Sequence, residues 1–285
     1  MRLAAIHTYP IKGCRRLDHD AARVEPWGLA GDRRWLIVDD GGVGVTQRQH
    51  PELVTLRAVP RPGGLELAAP GRPALDLAEP HGGEPIEVRV FESRPTTPAL
   101  AAGPTADDWL SRLLGQPVRL AWLGDPAANP VMQPVPDGAG TSVNFADGTP
   151  LLLTSTASLD EFNAWLLESG SPEGPLPMSR FRANLVIAGG SPWAEGEWVD
   201  RRVRIGATVF RGLTQCGRCV VSATDQDTGV RGQEPLRTLA VRRNIGRRLL
   251  FGLQLAVELP PDADPVGRAV DCGTLTIGDE VELLG

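Results

Sequence analysis

Lysine is almost missing from these 285 residues: Lys12 is the only one, so 28 of the 29 basic side chains are arginine. A bias that strong is what genomic composition imposes on a whole chain, and it leaves the single ammonium group at position 12 in need of a specific reason. Cysteine is scarce as well. Cys14, Cys216, Cys219 and Cys272 are too few to scaffold a chain of this length with disulfides, and a reducing compartment keeps them as thiols available for chemistry. No apolar run approaches a bilayer-spanning length, and the start Met1-Arg2-Leu3-Ala4 lacks the apolar stretch of a secretory signal, so a cytoplasmic location and no membrane partner are expected. An excess of positive charge is lacking too. The net charge of −6 and pI near 5.3 argue against nucleic acid or an anionic membrane surface as main partner, while leaving room for a local basic pocket.

Core-forming material is present in quantity, at 41% apolar residues, and the length exceeds what one core usually organises, so two domains are expected. Glycine and proline, 33 and 26 residues, imply many turns and a β-rich fold. Over the first hundred residues, strands are expected at Arg2–Thr8, Ala21–Val24, Arg34–Val38, Leu53–Val59, Leu65–Ala68 and Ile86–Val90, with no helix of useful length. A helix follows over Ala106–Leu114, capped by Thr105 and stopped by Gly115, then a strand over Val118–Trp122. Residues 124–148 have no periodicity and are dense in Pro, Gly and Ala. They read as the linker between an N-terminal domain, 1–123, and a second domain, 149–285. The second domain begins with a strand at Leu151–Leu153 and a helix at Ser158–Ser169. Extended runs follow at Ala183–Ile187, Val203–Arg211, Phe251–Leu259 and Leu275–Leu284, with a short helix at Pro235–Arg242. Gly206 and Gly278 mark tight turns between barrel strands.

The segment richest in chemistry is Cys216-Gly217-Arg218-Cys219, followed by the polar run Ser222 to Gly229. It holds two thiols three residues apart with a guanidinium between them, and a neighbouring cation favours the thiolate, the form that binds metals. A structural zinc site needs two more soft ligands, yet Cys14 and Cys272 are unpaired and His7, His19, His50 and His81 all lie in the N-terminal half. A thioredoxin-type dithiol needs a long helix after the pair, which this β-rich context lacks. A third reading is one thiolate bound to a metal carried by an organic cofactor, with the other thiol merely packed. Two small buried residues without chemistry remain the ordinary reading of the segment taken alone.

Other motifs accompany it in order: Tyr9-Pro10-Ile11-Lys12-Gly13-Cys14, Gly28 to Trp35, Thr46-Gln47-Arg48-Gln49-His50-Pro51, and Arg180-Phe181-Arg182-Ala183-Asn184-Leu185. Together with Cys216 to Gly229 they resemble the MOSC family, which joins an N-terminal β-barrel-type domain to a domain like that of molybdenum cofactor sulfurase. The functional relatives implied are the mitochondrial amidoxime-reducing components and their bacterial counterparts. The resemblance implies a β-rich α+β fold, with an N-terminal barrel-like domain packed on a small MOSC-type barrel with flanking helices.

It further implies a molybdenum–molybdopterin cofactor, with Cys219 matching the metal's cysteine ligand. Lys12, Arg33, Arg182 and Asn184 match the residues that hold the cofactor's phosphate and pterin; arginine offers a planar fork and lysine a compact charge, which would account for the solitary lysine. Gly13 stands where the family has a serine, and in the pair Gly148-Thr149 the glycine replaces another hydroxyl, so backbone amides or water must substitute there. Arg218 adds a cation beside the thiolate, and Asp225 matches an acidic residue near the metal, suited to orienting substrate or relaying a proton.

The implied activity is reductive oxygen-atom removal from small N-hydroxylated compounds such as amidoximes and hydroxylamines; the alternative is a carrier of cofactor or persulfide that does not turn over. The chain has neither ferredoxin cysteine spacing nor a glycine-rich dinucleotide fingerprint, so electrons are expected from a separate ferredoxin or flavin-reductase-type protein. Each residue also has an ordinary role open to it. Lys12 and Arg33 suit a solvated surface, Arg182 a strand in which it pairs with a carboxylate, Asn184 a turn, Asp225 and Asp227 the turn ending at Gly229, and Trp35 and Phe181 the core. The cofactor reading requires Lys12, Arg33, Arg182 and Cys219 to meet at one cavity between the two halves, with loop 124–148 at its entrance.

Overall fold

The computed structural model describes the chain except residues 131–134, 136–138, 141, 261–262, 264–269 and 285. It is β-rich with three α-helices, the α+β class expected. The largest sheet has nine strands in the order Val281–Leu284, Arg202–Ile205, Thr208–Gly217, Arg248–Val257, Leu151–Ser155, Leu185–Ala188, Arg2–Thr8 and Leu17–His19, with Asn244–Ile245 pairing the Arg248–Val257 strand to one side. One sheet thus draws on both ends of the chain. Its pairings are antiparallel except Leu151–Ser155 with Leu185–Ala188, whose parallel register matches Leu153 with Leu185. A parallel pair needs a crossover, and helix α2, Thr156–Glu168, provides it. Inward side chains of these strands, among them Leu3, Ile6, Leu153, Leu185, Val203, Phe210, Leu253 and Leu255, form one core.

Three smaller sheets complete the molecule. Trp35–Val38, Arg119–Trp122, Thr97–Ala101 and Pro85–Val88 make four antiparallel strands; Arg57–Arg61, Gly64–Ala68 and Leu75–Ala78 make three; and Thr274–Thr276 joins Ala21–Glu25 and Gly28–Leu29. Helix α1, Pro104–Leu114, buries Ala106, Leu110 and Leu114 in a second core with Trp35, Ile37, Leu53 and Leu120. Helices α2 and α3, Leu236–Arg242, cover a third, aromatic core of Phe162, Phe181, Leu239 and Phe251.

Several local expectations need correction. Residues Pro51–Thr55 form a 3-10 turn, because a proline at its start sets φ for a helical turn, and the strand begins only at Arg57. Helix α1 is capped by Gly103 with Pro104 in its first turn, so Thr105 is not the cap, and helix α2 starts earlier than its periodicity indicates, with Ser155 Oγ accepting from Ala157 N. Leu275–Leu284 is two strands: Thr274–Thr276 pairs with Ala21–Glu25, whereas Val281–Leu284 pairs with Arg202–Ile205. The Gly278 turn therefore moves the chain between sheets, while Gly206 closes a hairpin. The strands Leu75–Ala78 and Thr97–Ala101 are only four and five residues long and do not stand out in the sequence.

Candidate functional site

The chain turns sharply at both ends of the motif pair Tyr9–Gly13 and Asp32–Trp35, and the two segments are laced together. Tyr9 N donates to Asp32 Oδ1 at 2.7 Å, Arg33 N to Tyr9 O at 2.8 Å and Lys12 N to Trp35 O at 2.9 Å. The lacing turns the side chains of Lys12 and Arg33 inward. Lys12 is only 5% exposed and the Arg33 side chain 13%, so neither is the solvated surface charge that basic residues usually are.

Arg182 is not in a strand. It ends the 3-10 turn Met178–Phe181 in the left-handed region, φ 53°, and Arg33 shares that conformation at φ 49°. Left-handed backbone is unfavourable for an arginine, and it persists only where surroundings impose it. Here the surroundings are Tyr9, whose ring centre lies 4.6 Å from the Arg33 guanidinium carbon and 4.1 Å from that of Arg182. Among the described residues Arg182 forms no ion pair with a carboxylate; it donates to Cys14 O at 2.9 Å and Gln226 Oε1 at 2.8 Å. Asn184 is buried rather than in a turn: Arg33 Nη1 donates to its Oδ1 at 3.2 Å, and its Nδ2 donates to Asp32 Oδ2 at 3.1 Å and His7 O at 3.1 Å.

Arg218 and Cys219 leave the end of the Thr208–Gly217 strand. Arg218 Nη1 reaches Cys216 Sγ at 3.1 Å and its Nη2 donates to Phe181 O at 2.8 Å, while its buried Nε has no partner among the described residues. Cys219 is half-buried, with Arg48 Nη2 3.5 Å from its sulfur. All these groups face one cavity of about 210 Å³, lined by Lys12, Gly13, Arg33, Gly148, Thr149, Arg182, Asn184, Arg218 and Cys219, together with Arg48, Asp147, Cys216 and Phe181. Residues 146–149 line one side of it, at the end of segment 142–150. That segment is anchored by Phe145 in an apolar core and by Asn129 Nδ2 donating to Val143 O and Asn144 O at 2.8 and 3.0 Å.

Asp225 stays outside this cavity. Its Oδ1 accepts from Asp227 N, Thr228 N and Thr228 Oγ1 at 3.0, 2.8 and 2.9 Å, the turn-shaping role of a short acidic side chain. Burial would raise its pKa, but these bonds and the Arg180 charge hold it lower. Asp227 pairs with Arg15 at 2.9 Å.

The match with known families is now decisive. Residues 1–117 match the MOSC N-terminal beta barrel domain, and residues 140–282 match the MOSC domain. The chain belongs to the MOSC family. Mitochondrial amidoxime-reducing component 1 of Mus musculus is 30% identical to this MOSC protein over 302 residues, covering 99% of this chain and 82% of that one. Molybdenum cofactor sulfurase of Oryza sativa subsp. japonica is 31% identical over 275 residues, covering 90% of this chain and 33% of that protein. The chain thus spans about a third of the length of such sulfurases. The crystal structure of the YUAD protein from Bacillus subtilis matches with 13% identity and a TM-score of 0.44, covering 99% of this chain and 94% of that one.

The MOSC cavity suits an anionic guest that carries a soft metal. Five cations, Lys12, Arg33, Arg48, Arg182 and Arg218, face it against a single lining carboxylate, Asp147, and Arg218 Nε is a buried donor with no acceptor among the described residues. Two thiols share the wall, and among the described residues no cluster of three or more His, Cys, Asp or Glu offers a protein-only metal site. The other two cysteines are inert as nucleophiles: burial pushes the Cys14 thiol up to about 12, and burial with nearby acidic charge pushes Cys272 to about 11.

Sequence reading missed Tyr9, Arg48 and Asp147 as site residues, although the first two lie inside motifs it singled out. Asp147 precedes Gly148, leaves more than half of its side chain exposed and forms a short ion pair with Lys12 Nζ; desolvation at that pair would raise its pKa, but Lys12, Arg48 and Arg33 bring it down to about 2. Burial in turn pushes the Lys12 ammonium below its ordinary value, opposed by Asp147. Both Lys12 and Arg48 lie over the Phe91 ring, at 5.0 and 4.8 Å from its centre. The two halves are further joined by Gln47 and Gln226, whose amides exchange hydrogen bonds of 3.1 and 2.9 Å. A signal for both Tyr9 and Arg48 was available, because each lies inside a motif that carries the resemblance.

Among the described residues no helix is long and apolar enough to cross a membrane.

Proposed function

We propose that this chain is a molybdenum-cofactor-binding oxidoreductase that removes oxygen from N-hydroxylated compounds such as amidoximes and hydroxylamines. The observation that carries the reading is the convergence of the Cys219 sulfur and five cationic side chains, drawn from both halves of the chain, on one cavity. When bound, the pterin-held molybdenum supplies two-electron oxygen-atom chemistry that side chains lack. Cys219 offers the thiolate ligand, and Arg48 supplies a countercharge beside it. Arg33 and Arg182, both packed on the Tyr9 ring, give two planar forks for phosphate and pterin oxygens. Lys12 adds a point charge, and Asp147, ionised throughout the neutral range, keeps that ammonium in place. Phe181 closes the wall and limits water. The reaction consumes two electrons and two protons and releases the oxygen as water, and a separate electron-transfer protein supplies the electrons.

The test is protein purified from a host that makes the cofactor. About one molybdenum per chain, with benzamidoxime reduced to benzamidine by reduced methyl viologen, supports the reading; bound molybdenum without turnover overturns it. A second reading, a carrier of cofactor or persulfide, is favoured by one observation: the Asp225 carboxylate is spent on its own turn and leaves the cavity without that acid. Under that reading the Cys219 thiolate takes the outer sulfur of a donor protein's persulfide, whose thiol leaves, and then passes that sulfur to an acceptor thiolate, restoring its own thiol; mass spectrometry of the intact chain detects the persulfide on Cys219.

A further inference from the structure

Residues 236–250, Leu-Arg-Thr-Leu-Ala-Val-Arg-Arg-Asn-Ile-Gly-Arg-Arg-Leu-Leu, hold five arginines and no acid in a chain whose net charge is −6. They form α3 and a two-residue hairpin in which Ile245 faces Arg248 across the turn. The turn residues Gly246 and Arg247 both have positive φ, 58° and 64°. Hairpins of this type favour Asn or Gly at both positions, so an arginine at the second is held against its backbone preference, with its charge at the tip. Arg237 and Arg242 are ion-paired, to Glu234 at 2.9 Å and Glu168 at 2.6 Å; among the described residues Arg247 and Arg248 form no ion pair. Apolar side chains stand exposed among these charges: Val241 is 79% and Ile245 49% exposed, and Leu167 beside Glu168 is 84% exposed.

This face is connected to the cavity. Arg248 Nη2 donates to Gln215 O at 2.9 Å, and Arg218 N to Leu249 O at 2.7 Å, so the hairpin continues directly into the strand end that carries Cys216 and Cys219. A row of packed rings runs beneath it. Arg242 lies over Trp165 and Arg243 over Trp193; Trp165 stacks on Trp193 at 5.0 Å, Trp193 meets Phe251 at 5.6 Å, and Phe251 stacks at 3.6 Å on Phe181, which lines the cavity.

We propose that α3 and the Asn244–Arg248 hairpin form the docking face for an acidic one-electron carrier protein. The proposal rests on the reductase reading above and names its partner. Two reduced carriers each give up one electron and leave oxidised; the substrate N–O bond breaks, and its oxygen leaves as water with two protons from solvent. An acidic partner is repelled by most of a chain with net charge −6, so a local cluster of arginines selects this face and steers the encounter. The exposed Val241, Ile245 and Leu167 favour a protein surface over nucleic-acid phosphates, because apolar side chains among arginines are the composition of a protein interface.

The test compares wild type, Arg242→Glu/Arg247→Glu and Arg242→Lys/Arg247→Lys, all loaded with cofactor. Turnover of benzamidoxime is driven either by reduced plant-type [2Fe–2S] ferredoxin or by reduced methyl viologen, and binding of oxidised ferredoxin is measured by calorimetry. The expected result is a KM and Kd for ferredoxin raised about tenfold or more in the glutamate variant and kept within about twofold in the lysine variant. Viologen-driven kcat stays unchanged in both, and wild-type ferredoxin binding weakens with added salt. Equal ferredoxin Kd values for wild type and the glutamate variant overturn the proposal. So does loss, in that variant, of binding to duplex DNA or to phosphatidylserine vesicles while ferredoxin binding stays intact. Absence of viologen-driven turnover in wild type counts against the reductase reading alone, because the calorimetric comparison still decides the docking face.

Discussion

Arg48 Nη2 lies 3.5 Å from Cys219 Sγ, which puts a guanidinium from the first fifty residues in contact with a thiol from the last seventy. The same guanidinium is 3.9 Å from Asp147 Oδ2 and rests on the Phe91 ring. Sulfur, cation and carboxylate are thereby tied together at one wall of the cavity by a single side chain.

Cys219→Ala is expected to lower molybdenum content to less than a tenth of wild type and to abolish turnover. Its thermal midpoint should stay within a few degrees, since removing one half-buried sulfur costs about 1 kcal/mol. Cys216→Ala should keep most of the metal, because that sulfur is engaged by Arg218 at 3.1 Å. Elemental analysis of both variants decides which thiol is the ligand; the reverse pattern would reassign it to Cys216.

Lys12→Met should reduce cofactor occupancy and also change an acid titration. Asp147 is held at about 2 in the folded protein, below its unfolded value, so its contribution to stability is complete above about pH 4 and disappears as pH falls through 2. Without Lys12 the carboxyl should titrate closer to its ordinary range, with Arg48 and Arg33 still acting on it. Carbon-detected NMR titration of Asp147 in both proteins checks this, and an unchanged midpoint would show that Lys12 does not govern it.

Tyr9 packs against two like-charged guanidiniums, so its loss should be more damaging than burial alone implies. Tyr9→Phe keeps the ring and removes only the hydroxyl bond to Ala183 O, 3.1 Å, at about 1–3 kcal/mol. Tyr9→Ala should cost about 3–5 kcal/mol and also weaken cofactor binding, since Arg33 and Arg182 lose their common support. Urea unfolding of the two variants, with metal content measured alongside, distinguishes ring from hydroxyl.

Alkylation should be selective. A thiol at about 12 or about 11 is ionised at pH 8 in only about one molecule in ten thousand or one in a thousand, so Cys14 and Cys272 should resist iodoacetamide. Cys219, half-buried on the cavity wall, should react first in protein without cofactor and be shielded by it. Peptide mapping by mass spectrometry reads the order directly.

Strands with clear alternation, such as Arg2–Thr8 and Gly64–Ala68, were legible from their residues, as were the three helices within a few positions. The short strands Leu75–Ala78 and Thr97–Ala101 were not, because runs of four or five residues flanked by Pro and Gly are fixed by pairing with neighbouring strands rather than by a period of their own. Nine of the ten site residues drawn from the sequence face one cavity; Asp225 does not, because its carboxylate finds donors within its own turn first.

Residue chemistry and order along the chain were enough to indicate the family and to single out the lone lysine and the thiol pair as candidates. Which groups oppose each other was decided only by folding. The clamping of Arg33 and Arg182 on Tyr9, the pairing of Lys12 with Asp147 and the approach of Arg48 to Cys219 join positions 24 to 173 residues apart. Electrostatic and stacking contacts depend on distances of a few ångströms, and for residues so far apart those distances exist only once the sheets have closed on their cores.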